Sequence, residues 1–66
     1  SKEGEIIALG EKFKVLEKGG NSYSYIPNGE KSAEIKLGRG YDATRTFLKE
    51  NKKIAEQILK EIRKNF

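Results

Sequence analysis

Lys18, Arg39, Arg45, Lys49, Lys52 and Lys53 are the residues of this chain whose types and spacing suit a chemical task, and the task is holding phosphate. Arg39 sits between two glycines, Gly38 and Gly40, just ahead of a helical stretch. A helix start presents free backbone N–H groups and the positive end of the dipole, and arginine adds a fork of donors matched to phosphate oxygens. The competing reading is structural: Gly38 ends a strand, Gly40 permits the reversal, and Asp42 caps the helix and takes the same amides. Arg45, Lys49 and Lys52 are spaced i, i+4, i+7, so one continuous helix puts them on a single face with Lys53 beside them. That face either tracks a duplex backbone or is a solvated surface.

Other chemistries lack their parts. The 66 residues contain no histidine and no cysteine. The commonest general base, the commonest zinc ligand, any thiolate nucleophile and any disulfide are therefore excluded. No Gly-x-x-x-x-Gly-Lys-Ser/Thr loop exists to cradle nucleotide phosphates. The carboxylates interleave with lysines at helical spacing, as in Glu56–Lys60, a surface-supporting pair rather than an acid–base couple. No catalytic residue, cofactor site or metal site is assigned to the segment. Tyr23 and Tyr25 alternate with serines and read either as a stacking platform for exposed bases or, the preferred reading, as sheet packing. Phe13, Phe47 and Phe66 read as core.

Charge separates along the chain. Residues 1–35 hold five basic side chains and six acidic ones, a balance of −1, while residues 36–66 hold nine and four, a balance of +5. The overall +4 therefore comes from the second half, an asymmetry that points to an anionic partner. The longest apolar run is Ile6-Ile7-Ala8-Leu9, far short of the ~20 residues of a membrane span. No membrane partner is expected, and a cytoplasmic location fits the absence of cysteine.

The elements that must position these residues follow from periodicity. Lys2 to Gly10 reads as a short helix capped by Ser1, with Gly4 a weak point and Gly10 its stop. Phe13 to Leu16 alternates like a half-buried strand, Gly19-Gly20-Asn21 is a tight turn, and Ser22 to Ile26 alternates again. Pro27-Asn28-Gly29 is a second turn, and Ala33, Ile35 and Leu37 mark a third strand. Ala43, Phe47 and Leu48 line one side of a helix with Asp42 as its N-cap, ending near Asn51. Ile54, Ile58 and Ile62 then recur at i, i+4, i+8 with Ala55, Leu59 and Phe66 thickening the stripe. The order is α-β-β-β-α-α, an α+β domain of two layers, with a three-stranded antiparallel sheet packed on helices.

With these pieces in series, the chain resembles the C-terminal domain of RecA-type recombinases. Ser1 to Gly10 resembles the segment leading into that domain. Leu16 to Gly20 with Tyr23-Ser24-Tyr25 is similar to its first hairpin, and Gly38-Arg39-Gly40 to its glycine-bracketed turn. Phe47 to Asn51 resembles its next helix end, and Ile54 to Lys64 its last helix. The likeness implies that residues 1–66 form one domain, the C-terminal fragment of a longer recombinase acting in DNA repair, recombination and the SOS response. It implies double-stranded DNA as partner, with single-stranded DNA secondary, and other recombinase subunits in a filament. ATP and Mg²⁺ would belong to the parent protein, a DNA-dependent ATPase, and not to this segment. Lys18 matches the family's lysine before the first turn, whereas the basic position after the glycine bracket falls on Tyr41, leaving Arg39 as the substitute. The region from Ile26 to Lys36 is longer than expected, Ser22 replaces an aromatic, and no acidic tail follows Phe66, departures that fit a diverged or phage-borne member. The alternative function is a protein-interaction or regulatory module docking on a neighbouring recombinase subunit.

Overall fold

A computed structural model describes residues 1–66. Helix α1 spans Lys2–Lys12, strand β1 Leu16–Gly19, β2 Ser22–Tyr25 and β3 Ile35–Arg39, followed by helices α2 at Tyr41–Glu50 and α3 at Lys52–Arg63. This is the α-β-β-β-α-α order, an α+β arrangement. The sheet is antiparallel throughout, with β2 in the middle. Two 3-10 turns, Pro27–Gly29 and Lys31–Ala33, fill the long connection between β2 and β3.

Ser1 caps α1 as its residue type predicts: its Oγ accepts from the Gly4 amide at 3.1 Å, and Glu3 and Glu5 occupy the first turn. The helix does not stop at Gly10. Gly10 is buried within it, and a Cβ there would lie 2.6 Å from Leu16 Cγ, so this glycine lets β1 close onto α1. The stop is four residues later. The Lys14 amide donates to the Glu11 carbonyl and the Val15 amide to the Gly10 carbonyl, with Lys14 at φ 62°. This is a Schellman closure with lysine where glycine is usual. It displaces the first strand: Phe13 and Lys14 belong to the helix end, and β1 begins at Leu16.

Turn Gly20–Asn21 joins β1 to β2 with Gly20 at φ 59°. Lys18 faces Tyr23 and Leu16 faces Tyr25 across this hairpin. A register shift after Tyr23 leaves Leu37 as an extra residue on β3, since Tyr23 pairs with Gly38 and Ser24 with Lys36. Tyr25, Ile7, Leu48, Ile58 and Ile62 are fully buried, so one core lies between the sheet and the three helices.

Two further expectations are corrected. On α2 the inward residues are Thr44 and Leu48, while Ala43 is exposed. Thr44 tolerates burial because its hydroxyl donates to the Gly40 carbonyl at 2.8 Å. Phe66 is 79% exposed rather than core, although its ring packs against Phe13 at 5.7 Å. It lies beyond the end of α3, so the i+4 stripe that predicted its burial no longer applies. No helix is long and apolar enough to cross a membrane.

Candidate nucleic-acid interface

The glycine bracket is built by backbone demands. A Cβ on Gly38 would meet the Thr44 amide nitrogen at 3.0 Å and the Ala43 carbonyl carbon at 3.1 Å, so glycine is what lets α2 lie against β3. Gly40 has φ 92°, a region that side chains other than hydrogen rarely enter. Gly40, not Asp42, is the N-cap of α2, and no side chain caps the helix. The Gly40 amide donates to the Asn21 carbonyl at 2.6 Å. That bond pins the β1–β2 turn beside the start of α2. Both glycines are thus occupied with the fold, and Arg39 is the exposed member of the bracket.

Arg39 and Lys18 reach this end of the sheet from different faces. Lys18 is opposite Tyr23, which is opposite Gly38, so all three share the helix-facing side. Arg39 pairs with Ser22 one position on, and alternation turns it to the other side. The Lys18 ammonium rests 5.4 Å from the centre of the Tyr23 ring. The two cations therefore flank a rim formed by the hairpin turn and the start of α2; they do not lie side by side on a flat surface.

Arg45 and Lys49 project one turn apart on α2, with Tyr41 one turn before them. The Arg45 guanidinium lies over the Tyr41 ring at 6.0 Å and 3.9 Å from the exposed Asp42 carboxylate. Lys52 does not continue this row. Asn51 breaks the helix at φ −123°, ψ 70°, and its side-chain amide donates to the Phe47 carbonyl at 2.9 Å. Lys52 and Lys53 instead open α3. The six predicted cations thus form two groups. Lys18 and Arg39 flank the hairpin end, and Arg45 and Lys49 lie along α2 towards the α2–α3 joint, which Lys52 and Lys53 complete.

All six are exposed. The chain's ion pairs within 4 Å are Lys31–Glu17 and Arg45–Asp42, so five of the six have no carboxylate partner. The Glu56–Lys60 pair expected on α3 does not form. Tyr23 and Tyr25 are buried, so neither offers a ring face to a base and the stacking reading falls. No group of carboxylates is arranged to hold a metal ion.

Sequence reasoning passed over three further cations. Lys2, Lys60 and Arg63 join Lys53 around an open cleft of about 520 Å³ along α3, bordered by the start of α1. The signal was present in the 53, 60, 63 spacing, but Lys60 read as the surface-supporting partner of Glu56.

Comparison with known proteins decides the family. The family model described as the RecA C-terminal domain matches residues 4–66. The chain belongs to the RecA C-terminal domain family. It is 47% identical over 66 residues to Protein RecA of Caldanaerobacter subterraneus subsp. tengcongensis and 42% identical over 66 residues to Protein RecA of Bacillus subtilis, covering all of this chain and 17% of each relative. Protein RecA of Campylobacter fetus is 45% identical over 65 residues, which is 98% of this chain and 17% of the relative. The chain therefore spans about a sixth of the length of these RecA proteins. The resemblance seen in the hairpin, the glycine bracket and the last helix is a family membership.

Proposed function

We propose that this RecA C-terminal domain captures duplex DNA through phosphate contacts that ignore base sequence, and presents it to an ATP-dependent strand-exchange filament formed by the longer recombinase. Lys18, Arg39, Arg45, Lys49, Lys52 and Lys53 make the contacts. ATP and Mg²⁺ are handled by the rest of that protein, and this domain contributes binding and no catalysis. Other recombinase subunits are its neighbours in the filament.

The observation that carries this reading is the exposed and unpaired state of the cations. Lys18, Arg39, Lys49, Lys52 and Lys53 are hydrated with no carboxylate within 4 Å, and Arg45 has only a loose contact with Asp42 at 3.9 Å. Unpaired cations are available to a polyanion without an ion pair being broken first. The rim shape favours a strand running from the hairpin turn along α2, because Arg45 and Lys49 are about 6 Å apart along the helix axis.

The test is a salt titration of binding to a short labelled duplex, followed by anisotropy. Six phosphate contacts predict a slope of log K against log salt approaching about −5. Amide shifts on adding duplex should centre on Lys18 and on residues 38–53. Affinity that does not change with salt removes the electrostatic mechanism and leaves docking on a neighbouring subunit as the reading.

A further inference from the structure

The open cleft along the outer face of α3, bordered by Lys2 of α1, lies outside the interface described above, sharing only Lys53 with it. Its walls are Lys2, Lys53, Glu56, Gln57, Leu59, Lys60 and Arg63. Four cations there face one carboxylate. Lys2, Lys53, Lys60 and Arg63 are exposed, and none is within 4 Å of an acidic group.

We infer that this cleft is a second nucleic-acid backbone site, binding the phosphates of a duplex through Lys2, Lys53, Lys60 and Arg63. Three of these cations lie on one helix, with Lys53 and Arg63 ten residues apart and so about 15 Å along its axis. They occupy the face of α3 opposite the buried residues Ala55, Ile58 and Ile62. Lys2 comes from the other wall. A row of this length and sign matches a ligand carrying many closely spaced negative charges, and duplex DNA carries one per about 1.7 Å.

The lining also disfavours a peptide. A helix or strand of a protein partner is held chiefly by apolar anchors, and Leu59 is the one apolar residue of the cleft. The remaining donors are ammonium groups, a guanidinium and the Gln57 amide, which suit phosphate oxygens. Lys60 and Arg63 also lie in the last turn of α3, where they complement the helix dipole. That contribution needs no cleft, no Lys2 and no Lys53 at the other end of the helix.

The inference concerns the same class of ligand as the proposed function but, Lys53 apart, uses different residues, so variants outside Lys53 separate the two. Two double variants suffice, Lys60→Gln with Arg63→Gln for the cleft and Arg39→Gln with Lys49→Gln for the α2 face. Each is titrated with a labelled duplex at several salt concentrations, with circular dichroism to confirm folding. Losing two contacts lowers the magnitude of the salt slope by about 1.8. The cleft site predicts this reduction, with weaker binding, for the Lys60/Arg63 variant.

An unchanged slope and affinity in that variant overturns the cleft site, whatever the other variant does. A reduction confined to the Lys60/Arg63 variant upholds the cleft and removes the α2 face. Competition identifies the ligand class. Polyglutamate of equal total charge that displaces the duplex from the Arg39/Lys49 variant as well as unlabelled duplex does would overturn the nucleic-acid assignment.

Discussion

Lys14 is held at φ 62° with its amide bonded to the Glu11 carbonyl. A residue with a Cβ is disfavoured in this left-handed region by roughly 1–2 kcal/mol, and glycine is not. Lys14 is exposed, so replacing its side chain removes no packing. Lys14→Gly should therefore stabilise the domain by about 1 kcal/mol, read as a rise in the urea midpoint at unchanged m-value. A loss of stability would mean that the greater freedom of glycine in the unfolded chain outweighs the strain. The same position explains why the end of α1 is hard to place from residue types. Gly10 carries the usual stop signal, yet its missing Cβ is used by Leu16, and the actual reversal is carried by a lysine. Asp42 misleads in a similar way. It is a favourable cap residue, but Gly40 opens α2 two residues earlier because β3 passes against Thr44 and Ala43 at Gly38.

Helix α3 is tied to the sheet through one side chain. Glu61 accepts the Tyr25 hydroxyl at 2.8 Å and the Asn28 amide at 3.1 Å, joining α3 to the end of β2 and to the 3-10 turn after it. Burial, followed by the hydrogen bond and the negative charge of Glu61, pushes the Tyr25 phenol up to about 12 from 10.0. The neutral phenol is the form favoured by folding. The unfolded chain releases that proton first, so above pH 10 the native state holds more protons and stability falls as pH rises. The contribution is fully present below pH 10 and lost by about pH 12, an effect of order 2 kcal/mol. Urea midpoints from pH 9 to pH 11.5 should decline more steeply for the native sequence than for Tyr25→Phe. Comparison with that variant cancels the contributions common to both chains. Parallel declines would show that the Tyr25 phenol ionises alike in the folded and unfolded chain, so that folding does not raise its pKa. At this scale the sequence was informative where periodicity was long. The Ile54–Ile58–Ile62 stripe located α3, and the alternating tyrosines located β2. It was silent where a tertiary contact chose between options: nothing local announces that Glu61 reaches Asn28, that Leu37 bulges, or that Thr44 rather than Ala43 turns inward. The cations were legible as a set. Their division into a hairpin rim and a helix joint was not, because the break at Asn51 interrupts a spacing that a continuous helix would have kept.

The principal extents of the molecule are 25, 24 and 20 Å. At 10 mM salt the screening length is about 30 Å, longer than the molecule, and at physiological ionic strength it is about 8 Å. At low salt every charge is thus felt by every other, and the net +4 acts against compaction. The ion pairs that would oppose this, Lys31–Glu17 and Arg45–Asp42, are both exposed, and such pairs contribute little. Repulsion among the free cations of residues 36–66 is therefore the larger effect, and added salt should stabilise the fold. Raising NaCl from 10 to 150 mM should lift the melting temperature by about 3 °C, given that 1 kcal/mol corresponds to about 4–8 °C in a domain of this size. Duplex affinity should fall by orders of magnitude over the same range. The opposite signs have one origin. The same unpaired cations that are proposed to attract a polyanion push each other apart when none is bound. It follows that duplex DNA at 10 mM salt should raise the melting temperature more than 150 mM NaCl does, since bound phosphates neutralise those cations directly and binding to the native state adds its own stabilisation. Calorimetry with and without duplex at both salt concentrations measures all four values. A melting temperature that drops as salt is added would show that attractive pairs outweigh the repulsion, and the free-cation basis of both proposed binding surfaces would be lost with it.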